Sequence, residues 1–140
     1  MSLPKFEELE VGQVIGTTEF LFSRDSLVRY AGASGDFNPI HYRDDIATSV
    51  GLPGVLAHGM LTMGAAVQLA VNWVGDAGRI ADYQVRFTKP VVVSPVDGAV
   101  LTVSGKIAGI DDESRTVRVD LSATAADLAV LGKAQVIVRF

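Results

Sequence analysis

The chain has 140 residues, 49% hydrophobic and 20% charged, the balance of one ordinary globular domain with apolar material for a single core. Its 12 Lys and Arg against 16 Asp and Glu leave a net charge of −4, and the basic residues are scattered singly. That excludes the basic patch of a nucleic-acid binder. With no cysteine, disulfides, thiolate metal sites and cysteine nucleophiles are excluded together.

Residues Met1 to Glu10 are polar and mixed in charge, without the basic and then apolar run of a secretory signal. The longest stretch free of both charged residues and histidine, Gly59 to Gly75, is shorter than the ~20 residues of a membrane span and contains Gln68 and Asn72. The expectation is a cytoplasmic protein, one domain over residues 1–140, with no membrane span.

Val14 to Phe22 reads as a first strand. Ser23 then serves as an N-cap for a helix over Asp25 to Ala33, which carries Leu27, Val28, Tyr30 and Ala31 at helical spacing. The cluster Gly32-Ala33-Ser34-Gly35-Asp36 stops it. Asn38 as N-cap and Pro39 at the first helical position restart a helix, which the sequence carries to Val50 and a stop at Gly51. From Met60 to Val74 the apolar residues cover nearly the whole circumference, which predicts a helix buried on most sides and stopped by Gly75.

After it the period changes to two. Val117, Val119, Leu121, Ala123 and Ala125 alternate with polar residues as in a half-buried strand. Leu101, Val103 and Ile107 mark the strand before it, with Asp111 to Ser114 as the turn. Leu128 to Phe140 and Tyr83 to Val93 read as further strands, the latter bent or at an edge because of Pro90. One buried helix followed by antiparallel strands is an α+β pattern, with the sheet wrapped around the helix.

Two polar groups stand among glycines at helix starts. In Gly35-Asp36-Phe37-Asn38-Pro39-Ile40-His41, a continuous helix would point Asp36 and His41 apart. Pro39 pushes Asn38 out of the helical region, so a turn can bring carboxylate and imidazole onto one water molecule. In the first turn of the helix that Asn38 caps, the positive end of the dipole disfavours imidazolium and leaves His41 able to accept a proton. Such a pair suits general acid–base work on water. Asp and Asn in a Gly/Pro turn also serve simply as turn formers and caps.

The second group is Ala57-His58-Gly59-Met60, directly before the buried helix. Free N–H groups at a helix start favour negative charge, and Gly59 leaves the backbone open to a ligand. Aimed at a thioester carbonyl, that donor would stabilise the enolate-like oxygen of hydration. The alternative is close packing at Gly59 and a satisfied core histidine at His58. Arg86 and Lys89 could meet a phosphate of the substrate or be solvated strand residues. Trp73 and the methionines could line an apolar tunnel or pack the core.

The two groups together, with Gly51-Leu52-Pro53-Gly54 between them, resemble the hydratase motif of the MaoC-like family of (R)-specific enoyl-thioester hydratases and dehydratases. The resemblance spans most of the chain. The runs Trp73-Val74-Gly75-Asp76 and Tyr83-Gln84-Val85-Arg86-Phe87 are most similar to its branch of mycobacterial (3R)-hydroxyacyl-carrier-protein dehydratases. It implies a single hot-dog fold and syn hydration of a trans-2-enoyl thioester of CoA or acyl-carrier protein in fatty-acid metabolism. By the same resemblance Asp36 and His41 activate the water, the Gly59 N–H polarises the carbonyl, and Asn38, His58 and Met60 lie along the substrate. No metal or redox cofactor is implied. A homodimer, or a heterodimer with a related hot-dog subunit, is expected. A subunit inactive without its partner and an acyl-thioesterase are the competing functions. One departure is Gly64, where some members carry a serine that supports the aspartate.

Overall fold

A computed structural model describes residues 3–140. Strand β1 (Val14–Phe22) leads into helix α1 (Arg24–Ser34), a 3₁₀ turn (Pro39–His41), helix α2 (Asp44–Ser49) and the long helix α3 (Gly59–Val74). Strands β2 (Ile80–Phe87), β3 (Ala99–Asp111), β4 (Thr116–Ala125), the two-residue β5 (Leu128–Ala129) and β6 (Leu131–Arg139) follow. The main strands pair in the order β1-β3-β4-β6-β2, all antiparallel, with β5 paired to β4. The sheet curls around α3, which is the hot-dog architecture.

Alternation puts Val117, Val119, Leu121 and Ala123 of β4 on the concave face, facing the same side as Leu101, Val103 and Ile107 of β3. Each fully buried Val, Leu or Ile side chain among them contributes about 1.5–3 kcal/mol, and together they form the floor under α3. Ser23 caps α1 as expected, its hydroxyl accepting from the Ser26 N–H, and Gly35 and Gly75 end α1 and α3 in the left-handed conformation. Trp73 packs edge-on against Phe140, centroids 5.9 Å apart, so its role is core packing.

Four expectations are corrected. The helix read from Asn38 to Val50 is a single 3₁₀ turn, a break at Tyr42 and Arg43, and a separate α2. Continuation would need the Ile40 carbonyl to accept from the Asp44 N–H, and that carbonyl is taken by the Leu56 N–H at 3.1 Å. The strand read from Tyr83 to Val93 ends at Phe87, and that from Leu128 to Phe140 is interrupted at Val130, whose carbonyl receives the Thr88 N–H. The helix α3 is buried along one face only, Thr62, Ala66, Leu69, Ala70 and Val74. Met60, Gly64, Gln68 and Asn72 form an exposed stripe on the opposite side, because one curled sheet covers half of a cylinder.

Arg24 ties the helical segments to the sheet connection. Its Nε donates to the Val93 carbonyl at 2.7 Å and its guanidinium forks onto Asp44 at 2.8 and 3.0 Å. Arg24→Met should lower the free energy of unfolding by about 1–2 kcal/mol, the fork being partly screened by solvent. Urea unfolding of the two proteins measures it, and an unchanged midpoint would show that the fork contributes nothing.

Candidate active site

The turn between α1 and α2 is held by its own side chains. Asp36 Oδ1 accepts from the Asn38 N–H at 3.1 Å, and Asn38 Oδ1 accepts from the Ile40 N–H at 3.2 Å. Asn38 therefore organises the turn, as the sequence predicts, and its backbone orients the aspartate. A Cβ placed at Gly64 would meet nothing within 4 Å, and the carboxylate is positioned locally instead.

His41 is 8% exposed and sits at the end of the 3₁₀ turn. Without a continuing helix the dipole effect expected there has no helix behind it, and the ring is set by a different contact. Its Nδ1 lies 2.7 Å from the Leu56 carbonyl. A carbonyl only accepts, so Nδ1 carries the proton, and in the neutral ring Nε2 presents its lone pair. Asp36 Oδ2 lies 3.9 Å from that Nε2. The gap is too wide for a direct hydrogen bond and suits one water held by both groups.

His58 lies beneath. Only 1% exposed, it donates from Nε2 to the Asp36 carbonyl at 3.1 Å, and its ring stacks on His41 at 3.8 Å between centroids and 22° between planes. Tyr30 meets the same ring edge-on at 4.8 Å. So deep a position puts His58 beneath Asp36 and His41, and it is not among the residues that line the neighbouring cleft. Asp36, His41 and His58 bring one ligand atom each within 4.8 Å of one another. The stacked rings keep their in-plane lone pairs in separate, nearly parallel planes, a poor arrangement for converging on one cation and a good one for holding His41 in place.

Gly59 is the first residue of α3, where N–H groups have no helical partner. It shares with His41, Ala57, Thr62, Phe87 and Lys89 the lining of a cleft of about 370 Å³. A Cβ on Gly59 would press on the Phe87 ring at 3.1–3.3 Å, so the glycine opens the cleft there. Met60 turns the other way, 58% exposed on the opposite flank of the helix. Asp36, His41, Asn38, His58 and Gly59 are thus brought together, with Met60 at the margin. Lys89 lines the cleft, whereas Arg86 does not. The Leu56 carbonyl, Phe87 and Thr62 were not legible as site components, because a backbone acceptor and two residues joined only by folding leave no local pattern.

An antiparallel sheet curled around one helix, with Asp36 and His41 on the turn before α2 and Gly59 at the start of α3, sets the frame for comparison. The model of the MaoC like domain matches residues 7–126, and the chain belongs to that family. A 3-hydroxyacyl-thioester dehydratase of Mycobacterium tuberculosis is 43% identical over 70 residues, covering 50% of this chain and 24% of that protein. A 3-hydroxybutyryl-CoA dehydratase of Methylorubrum extorquens is 30% identical over 130 residues, covering 90% of this chain and 78% of its own length. A solved structure of a MaoC-like dehydratase superposes with a TM-score of 0.96 at 41% identity, covering 99% of this chain and 42% of that one. The chain therefore spans about a quarter of the first relative and less than half of that structure. No helix of the described residues is long and apolar enough to cross a membrane.

Burial holds the His58 pKa below the ordinary histidine value, with the neighbouring His41 acting the same way and the hydrogen bond to Asp36 opposing. A group depressed in the folded state binds more protons when unfolded, over the range from its folded pKa up to about 6.5. Stability should be full above that range and fall as the pH is lowered through it. Thermal midpoints between about pH 7.5 and 5.5 check this: the fall should be smaller in His58→Gln. An equal fall in both proteins would assign it to other groups.

Proposed function

We propose that the chain is a hydro-lyase that reversibly adds water to a trans-2-enoyl thioester of CoA or acyl-carrier protein, giving the (3R)-hydroxyacyl thioester. The observation that carries this reading is the 3.9 Å gap between Asp36 Oδ2 and the lone-pair nitrogen of His41, a residue that lines one cleft together with Gly59. The relatives' names, a hydroxyacyl-thioester dehydratase and a hydroxybutyryl-CoA dehydratase, support the same class.

The geometry divides the work among the groups. His41 Nε2 accepts a proton from the water while Asp36 holds its other hydrogen, and the oxygen attacks C3 of the enoyl group. Electrons move through C2 to the thioester oxygen, where the Gly59 N–H stabilises the developing charge. The proton taken by His41 then goes to C2, so that one water is added across the bond and the site returns to its starting state. Water is the only co-reactant, and no resident cofactor takes part. His58 is a positioning residue: it keeps the Asp36 backbone and the His41 ring in register.

Loss of enoyl absorbance with crotonyl-CoA tests the reaction. Asp36→Asn and His41→Ala should each lower kcat by about 10²–10⁴ with the fold intact. Wild-type rates in either variant would sink the assignment. Release of free thiol without hydration would identify a thioesterase instead.

We further infer that the chain works as a dimer, with a second copy or a related hot-dog subunit. Strand β2 is an edge with one side unpaired within the described chain, and edges of this length are usually covered. Sedimentation velocity should give twice the chain mass for the purified protein, or for its mixture with a partner subunit. A monomer that hydrates crotonyl-CoA at full rate would overturn this.

A further inference from the structure

Among the described residues, two side-chain hydroxyls line the cleft that holds His41 and Gly59. That of Thr88 belongs to an exposed residue and already donates to the Ala129 carbonyl at 2.8 Å. That of Thr62 belongs to a residue only 3% exposed, and its one partner is the His58 carbonyl at 3.5 Å. Such a separation is the far limit of a hydrogen bond. The same carbonyl accepts from the Leu61 and Thr62 N–H groups at 3.1 and 3.2 Å, which leaves little for a third donor. A buried hydroxyl so poorly paired carries a desolvation cost that a small apolar residue avoids. The next two positions along the same buried stripe of α3, Ala66 and Ala70, are alanine.

What the Thr62 hydroxyl does have is position. Thr62 stands one turn after Gly59 on the same side of α3. Helical side chains lean towards the N-terminus, and the contact with the His58 carbonyl puts Oγ1 level with the start of the helix. The hydroxyl and the Gly59 N–H, which has no helical partner, therefore belong to one end of one cleft. The wall around them is apolar, with Ala57, Phe87, Val91 and Val130, and a fixed donor is worth more there than in water. Lys89, also on the wall, is exposed, and solvent screens its charge.

We propose that Thr62 is a further catalytic residue, its hydroxyl donating to the thioester carbonyl oxygen beside the Gly59 N–H. The assignment rests on the hydro-lyase reading for the identity of the ligand. No proton is transferred. The Thr62 hydrogen leaves its weak contact with the His58 carbonyl for the oxygen that gains negative charge as water adds to C3. Its bond therefore strengthens towards the transition state, which is where a donor accelerates the reaction. Two donors on one oxygen also fix the rotation of the thioester, and so set C3 against the water between Asp36 and His41.

Two variants separate the hydroxyl from the shape of the side chain. Thr62→Val removes the hydroxyl and keeps the branch, whereas Thr62→Ser keeps the hydroxyl and removes the methyl. With crotonyl-CoA, Thr62→Val should lower kcat by about 10–100-fold and change KM by less than about threefold. Thr62→Ser should recover most of that loss. A packing role gives the opposite order, because valine fills the methyl site and serine does not. The second readout needs no turnover: the infrared band of an isotope-labelled thioester carbonyl in bound butyryl-CoA. The band should lie below its solution frequency in the wild type and in Thr62→Ser, and return most of the way in Thr62→Val. Thr62→Ala, which matches Ala66 and Ala70, gives the same comparison if the valine variant does not fold.

A wild-type kcat in Thr62→Val overturns the assignment. So does a serine variant as slow as the valine variant, or a carbonyl band that loss of the hydroxyl leaves in place. A band that follows the hydroxyl without turnover of any enoyl thioester keeps the donor and defeats the hydro-lyase reading. Hydration at one rate in every Thr62 variant does the reverse.

Discussion

The site depends on the backbone of Leu56. Its N–H takes the Ile40 carbonyl, and its carbonyl takes the Nδ1 proton of His41. The first bond ends the 3₁₀ turn by removing the acceptor that a longer helix would need. The second fixes the rotation of the imidazole and which nitrogen carries its proton, so one extended residue decides both where His41 is and what it can do. The neighbours of Leu56 are held in turn: the Ala57 N–H donates to the Val91 carbonyl, and the Val55 carbonyl accepts from the Val93 N–H. Arg24 reaches the same connection through the Val93 carbonyl. The turn that carries Asp36 and His41 lies outside the long regular elements and is nonetheless pinned to them at several points, the support that a preorganised site needs.

Two histidines in contact divide the labour by depth. His58, fully enclosed, is kept neutral by the cost of burying charge and spends its Nε2 proton on the Asp36 backbone. His41, one ring-thickness above, keeps Nε2 for the cleft. The carboxylate of Asp36 is half exposed and its orientation comes from the Asn38 N–H rather than from α3. The α3 helix contributes differently on its two flanks: Gly59 in its first turn lines the cleft, and the stripe from Met60 to Asn72 is exposed on the other side.

Local sequence carried the capping of α1 by Ser23, the alternation of β4 and the Asx turn at Asp36 and Asn38, because each is a matter of near neighbours and period. The motif residues were legible for the same reason: Pro39 forbids a continuous helix, and a glycine at a helix start leaves its N–H open. The length of the second helical segment was not legible, since nothing between Asn38 and Val50 signals that Leu56, 16 residues after Ile40, would capture the Ile40 carbonyl.

The sequence by itself determined the α+β class, the order of the main elements, and the pairing of Asp36 with His41 and of Gly59 with a helix start, because capping chemistry and hydrophobic period are local. Only the tertiary structure decided the rest. It placed His58 as a buried prop, chose the protonated nitrogen of His41 through a backbone carbonyl, and left one side of an almost wholly apolar α3 uncovered. The physical reason is the same in each case. Burial and hydrogen-bond partnership are properties of groups brought together from distant parts of the chain, and hydropathy along a helix records that a face is apolar without recording what covers it.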